Sequence, residues 1–174
     1  MRPHDNLQGY VAAAIEGDDV AVAHLVRTTQ PIVWRLCSAL GTRGAEEDLV
    51  QETYLRALAS LTSFRGDSPF EGWLLAIARR VCADDVRRRV RSRRLEDRMS
   101  RLPLDAVPPA SESIRHLIAN LDTDRREAFV LTQVIGLSYD EAADLLDCPV
   151  GTVRSRVSRA RAQLAETVRR AQAQ

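Results

Sequence analysis

Between Thr152 and Arg161 the sequence reads TVRSRVSRAR. Wound as a helix, Val153, Val157, Ala160 and Leu164 fall at i, i+4, i+7 and i+11, an apolar stripe fit for burial. Arg154, Ser155, Ser158 and Arg161 then point the other way, with Arg156 and Arg159 on the flanks. Guanidinium groups in that arrangement can pair with guanine edges or phosphates, and a serine hydroxyl can bond to either. Just upstream, Ser138-Tyr139-Asp140-Glu141 has the spacing of a capping box, and the helix it starts should stop near Asp147-Cys148. Pro149 stands where a following helix would begin. Two helices joined by a turn of about four residues, the second apolar on one side and Arg/Ser-rich on the other, make a DNA-reading helix-turn-helix. The competing reading is a bundle helix with solvated arginines. The capping box, the proline placement and the small outward residues weigh against it.

Two further groups could carry binding chemistry. Within the helix expected from Ala45 to Thr62, Val50, Tyr54, Ala57, Leu58 and Leu61 form the core face. The opposite side carries Asp48, Gln51, Glu52 and Leu55, an acidic stripe with one exposed leucine, which fits a partner interface or a solvated helix face. Further on, Arg79, Arg80, Arg87, Arg88, Arg89 and Arg91 make a basic island, with Arg80, Arg87 and Arg91 near one face and able to follow a phosphate backbone. Phe64, Phe70 and Trp73 precede that island; taken alone, they read best as packing in a small helical core.

Catalysis finds no home. The sequence lacks a nucleophile elbow, a Walker loop, G-x-G-x-x-G and H-E-x-x-H. Cys37, Cys82 and Cys148 are scattered, with neither a disulfide framework nor zinc-ligand spacing, and are expected as small buried thiols. No metal or cofactor is expected.

The elements that must position these groups are all helices. The chain has 174 residues, room for one medium domain or two small ones, and a net charge of +1 that conceals strong sorting. Residues 1–78 carry 6 Arg against 10 acids, 79–101 carry 10 against 4, 102–153 carry 3 against 9, and 154–174 carry 6 against 1. Two basic islands on an otherwise acidic chain point to two contacts with a polyanion. The pattern predicts a helix from Asn6 as N-cap to Glu16, a second after Asp18 or Asp19 to Leu40 that Pro31 should kink or split, and one from Phe70 to near Arg94. Pro103, Pro108 and Pro109 mark a tether, beyond which three or four short helices are expected, with Ile114, Leu117, Ile118 and Leu121 at helical spacing. The expected fold is all-α, two small helical domains (7–94 and 112–174) joined by a flexible linker (95–111). Apolar runs such as Tyr10–Ile15 and Trp73–Ala78 fall far short of the ~20 residues that span a bilayer, so membrane insertion is not expected. With no secretory signal, the chain reads as soluble and cytoplasmic.

DLVQETYLRAL (48–58), F-R-x-x-S-P-F-x-x-W-L (64–74) and I-A-R-R-V-C-A-D (77–84) resemble the region-two domain of bacterial extracytoplasmic-function sigma factors. LSYDEAADLLDCPVGTVRSRVSRAR (137–161) is similar to the region-four helix-turn-helix of the same family, and the two segments stand in family order. The resemblance implies a specificity subunit of RNA polymerase, not an enzyme. By that match Asp48, Gln51, Glu52 and Leu55 dock on core RNA polymerase. Phe64, Arg65, Ser68, Phe70 and Trp73 capture an unpaired −10 base, with Arg79, Arg80, Arg87 and Arg91 along the melted DNA. Thr152, Arg154, Ser155 and Ser158 read the −35 element, and Arg156 and Arg159 hold phosphates. An anti-sigma factor is an implied partner, and the linker's counterparts thread towards the polymerase active-site channel.

Two positions depart from the pattern. Many relatives carry Asn where this chain has Arg80, and His or an aromatic residue where it has Asp85, so a relative's −10 preference does not transfer. Two other readings remain: a stand-alone helix-turn-helix regulator, which predicts half-sites of two-fold spacing, and an adaptor that binds polymerase without reading DNA.

Overall fold

The computed structural model describes residues 7–96 and 110–172, and side-chain surroundings for 7–92 and 115–172. Asn6, the side chain of Ile114 and most of the proline-bearing linker lie outside the described residues. Within them every regular element is helical. The chain divides into two compact units between Ala83 and Asp84, a boundary that falls inside one long helix.

The first unit starts with α1 (Leu7–Ile15) and α2 (Asp19–Leu40), separated by Gly17 at φ +94°. Asp18 caps α2, its carboxylate accepting from the N–H groups of Val20 at 2.8 Å and Ala21 at 3.2 Å. Pro31 does not split α2. An interior proline costs about 3 kcal/mol, but the stripe Leu25, Val33 and Leu36 is at most 2% exposed. Each such side chain contributes about 1.5–3 kcal/mol on burial, so packing outweighs the break.

Helix α3 runs Glu46–Ala59, shorter than the expected span to Thr62. Hydroxyls end it: Ser60 Oγ donates to the Arg56 carbonyl at 2.7 Å and Ser63 Oγ to that of Ser60 at 2.6 Å, around a 3-10 turn at Leu61–Ser63. The core face also needs correction. Leu49, Val50, Thr53 and Ala57 are buried, whereas Leu58, expected inside, is 41% exposed. Leu49 packs inward because Gly41 lacks a side chain; a Cβ there would collide with Leu49 and with the Cys37 carbonyl. Helix α4 (Phe70–Glu96) supplies Leu74, Leu75, Ala78, Val81 and Cys82 to this core. Cys37 and Cys82 are buried; hydrogen bonding to Cys82, then to Thr53, holds the Cys37 thiol below its usual range despite burial.

The second unit contains α5 (Ala110–Ala119), α6 (Thr123–Phe129), a π-helical turn at Val130–Ile135, α7 (Tyr139–Leu146) and α8 (Val150–Gln172). The last, at 23 residues, is not one of the short helices expected. Asp122 caps α6, and Gly136 at φ +90° ends the π turn. Ser138 and Glu141 form the anticipated capping box, with the Ser138 N–H donating to Glu141 Oε2 at 2.7 Å and the Glu141 N–H to Ser138 Oγ at 3.2 Å. Asp147, in the left-handed region at φ +50°, closes α7. Pro149 sits one residue earlier than expected, before α8, where its carbonyl accepts from the N–H groups of Thr152 and Val153. Cys148 is only half-buried, unlike the other two thiols.

Candidate functional site

The outward face of α3 collects the predicted acidic stripe. Asp48 and Gln51 are exposed, Glu52 is half-buried and accepts from Arg56 Nε at 2.7 Å, and Leu55 is 57% exposed. Leu58 joins them one turn on, so the face presents two leucines beside its carboxylates. Its signal was present in the sequence, three positions from Leu55, and lost to its assignment as core.

Phe64, Phe70 and Trp73 form one aromatic group with centroid separations of 5.3–5.8 Å. Phe70 is buried at the start of α4, while Phe64 and Trp73 are half-buried. The connecting residues Arg65, Gly66, Asp67, Ser68 and Pro69 are all exposed, with Gly66 at φ +76° turning the chain and Arg65 Nε lying 3.4 Å from Asp67. A polar loop thus borders an aromatic floor, a surface on which a flat, unpaired base can stack.

Along α4, the arginines differ in how far they are engaged. Arg87 donates to Asp84 at 2.5 Å; Arg88 and Arg89 lie 2.9 and 3.4 Å from the buried carboxylate of Asp85. Arg79 is half-buried and engaged within the fold. Arg80 and Arg91 are exposed and make no ion pair among the described residues. Sequence reasoning treated Asp85 only as a departure; its burial beside two arginines makes it the anchor of their flank.

On α8, Val153, Val157 and Ala160 are at most 1% exposed and Leu164 is half-buried, so the predicted stripe faces the core. Arg154, Ser155, Ser158, Arg159 and Arg161 are exposed, and Thr152 is half-buried at the start. Ser155 Oγ turns back to the Thr152 carbonyl at 2.9 Å, and Arg161 donates to Gln133 Oε1 at 2.5 Å. Arg154 sits over the Tyr139 ring, its Cζ 6.0 Å from the centroid. Arg156 differs from its neighbours: it is paired with Asp124 of α6 and lies 3.6 Å from Cys148 Sγ. Two helices, a left-handed turn and an outward Arg/Ser row give this end of the second unit the geometry of a helix-turn-helix.

Among the described residues no group of His, Cys, Asp or Glu is arranged to hold a metal ion, and no helix is long and apolar enough to cross a membrane.

Residues 25–92 match the family described as Sigma-70 region 2, and residues 111–164 match Sigma-70, region 4. The chain is 44% identical over 156 residues to the ECF RNA polymerase sigma factor SigC of Mycobacterium tuberculosis, covering 86% of this chain and 84% of that one. It is 39% identical over 132 residues to ECF RNA polymerase sigma factor EcfG of Rhodopseudomonas palustris, 73% of each. Among solved structures it resembles CnrH in complex with the cytosolic domain of CnrY (TM-score 0.74, 31% identity, 91% of this chain and 94% of that one). It also resembles the sigma factor RpoE in complex with the anti-sigma factor NepR from Bartonella quintana (TM-score 0.69, 30% identity, 84% and 95%).

Proposed function

The chain belongs to the extracytoplasmic-function sigma factors of RNA polymerase, which are initiation factors and not enzymes, and on that premise we propose that it selects promoters by two separate DNA contacts. The observation that carries this is on α8: Arg154, Ser155, Ser158 and Arg159 are exposed while Val153, Val157 and Ala160 are sealed inside. In this reading Arg154, Ser155 and Ser158, with Thr152 at the helix start, address −35 bases in the major groove, and Arg159 holds a phosphate. Arg156, engaged with Asp124, contributes to the phosphate contact only by leaving that pair.

The Phe64–Trp73 region takes an unpaired −10 base. Exposed Ser68 and Arg65 stand in the loop beside Phe64, Phe70 and Trp73, whose half-buried members Phe64 and Trp73 offer the stacking surface. Arg80 and Arg91 follow the single-strand backbone, assisted by Arg79 and Arg87. Helix α3 docks on core polymerase through Asp48, Gln51, Glu52 and Leu55, with Leu58 extending the apolar part. Each contact is modest, and tethering both to one polymerase raises the effective concentration of the second. The RpoE neighbour is bound to an anti-sigma factor, and an inhibitory protein of that kind is the expected off switch here.

The deciding experiment is multi-round transcription with purified core polymerase, with and without the chain, on templates that include the DNA upstream of its own gene. New transcripts starting a fixed distance from a shared two-part motif are expected. Operator binding by the chain alone, without any polymerase binding, would hand the function to a stand-alone regulator.

A further inference from the structure

Arg154 is an exposed side chain with no ion pair among the described residues, yet it is not idle: its guanidinium lies over the ring of Tyr139. Tyr139 is the first residue of α7, half-buried, and held by the capping box that Ser138 and Glu141 close around that helix start. Its ring is therefore tied to the rigid end of one helix while the guanidinium it faces belongs to the next. Arg159, also exposed, has no ion pair and no comparable holder among the described residues.

A long arginine side chain surrenders rotamer freedom when it pairs with a base edge, and a guanidinium already oriented in the free protein surrenders less. An aromatic face attracts the cation and, being flat, also restricts its plane, which matters for a two-toothed contact with guanine. We propose that Tyr139 is a positioning residue for DNA reading: its ring pre-orients Arg154, so that base discrimination by α8 depends on a residue of α7. The inference rests on Arg154 reading a base edge. It assigns a sequence-specific role to a residue in the helix that is otherwise expected to serve only as support.

The test uses holoenzyme assembled from the full chain and core polymerase, on a promoter found by the transcription assay and randomised across its upstream element. Arg154→Ala should flatten discrimination at one base position by about 5- to 150-fold. Tyr139→Leu should reduce discrimination at that same position by about two- to five-fold, Tyr139→Phe should retain it, and Tyr139→Leu should add nothing in the Arg154→Ala background. A Tyr139→Leu variant that weakens all sequences alike, or acts at a position Arg154→Ala does not touch, overturns the positioning role while leaving Arg154 as reader. If Arg154→Ala changes no position, the base-reading role itself fails and Tyr139's with it. A measurement on the unaltered chain guards against a folding defect: Arg154 side-chain protons should show an upfield ring-current shift by NMR, and its absence likewise overturns the proposal.

Discussion

The Thr29 and Tyr54 hydroxyls lie 2.8 Å apart, joining α2 to α3. Thr29 Oγ1 also lies 2.8 Å from the Leu25 carbonyl and the Tyr54 hydroxyl 3.3 Å from the Val26 carbonyl, so either hydroxyl can donate across the pair. Because Tyr54 is turned towards α2, Leu55, the next residue and about 100° further round the helix, is turned outward with Gln51 and Leu58. One hydroxyl pair thus helps to fix which face α3 offers to a partner.

Tyr54→Phe should destabilise the first unit by about 0.5–1.5 kcal/mol, since Thr29 keeps its bond to Leu25 and no buried donor is orphaned. The effect should depend on pH. Burial, the larger influence, pushes the Tyr54 phenol above the usual tyrosine value near 10, against the Thr29 hydrogen bond. The folded chain therefore keeps a proton that the unfolded chain gives up. The associated stability is full below about pH 10 and is lost as pH climbs through the folded-state value. Urea midpoints of the two proteins, compared at about pH 8 and about pH 10.5, should converge at the higher pH.

Asp48→Arg combined with Leu55→Asp should weaken binding to core polymerase by about 100-fold or more, as expected for charge reversal plus loss of an apolar anchor. Both residues are exposed, so thermal unfolding should shift by no more than about 0.5 kcal/mol. Gel filtration with purified core reads the outcome; co-elution of the double variant would remove α3 as the docking helix. Leu58→Asp alone should give a smaller loss of the same kind.

How much of this was legible beforehand follows from which forces set each feature. The α8 stripe and the Ser138–Glu141 box were readable because local periodicity and capping decide them, and both stand in the structure. Leu58 was misread because the apolar positions Leu49, Val50, Tyr54, Ala57, Leu58 and Leu61 spread over about half the helix circumference, with Leu49 and Leu58 at opposite edges, and no local rule says which edge turns inward. That choice belongs to Gly41, which admits Leu49, and to Thr29, which engages Tyr54, both outside α3. That Pro31 leaves α2 unsplit has the same origin: a local penalty is outweighed by burial supplied by other helices. The pairing of Arg156 with Asp124 spans 32 residues, and spacing along α8 could not announce it.

Arg126→Met should destabilise the second unit by about 1.5–3 kcal/mol. Its guanidinium, on α6, donates to the carbonyls of Ala119 and Leu121 at the C-terminal end of α5, the latter at 2.8 Å. Those carbonyls lie where a helix leaves its acceptors unsatisfied. Burial lowers the Arg126 pKa, with Asp122 and Glu127 opposing, yet it stays charged at neutral pH. Differential scanning calorimetry should show a lowered transition, and −35 binding at low temperature should survive.

Arg156→Ala and Arg159→Ala should separate stability from affinity. Arg156, one quarter exposed and paired across helices, should cost up to about 1 kcal/mol of stability with little change in promoter affinity. Arg159, exposed and without an ion pair among the described residues, should weaken binding to all −35 sequences alike and leave thermal unfolding unchanged. Equal losses of affinity from both would mean that the Asp124 pair opens on DNA.

The arginines of α4 should divide in the same way under salt titration. Each phosphate contact made by a free cation releases a counterion, worth about 0.7 in the slope of log K against log salt for single strands. Arg80→Ala and Arg91→Ala should each lower the slope by about that amount on a promoter with a pre-melted −10 segment. Arg88 is already neutralised by Asp85, so Arg88→Ala should lower it by less. Asp85→Asn, which frees Arg88 and Arg89 from their carboxylate, should raise the slope. An equal fall in slope from all three Arg→Ala variants would mean that the helix acts as a diffuse positive rod, with the ion pairs at Asp85 exerting no control over which arginines meet the DNA.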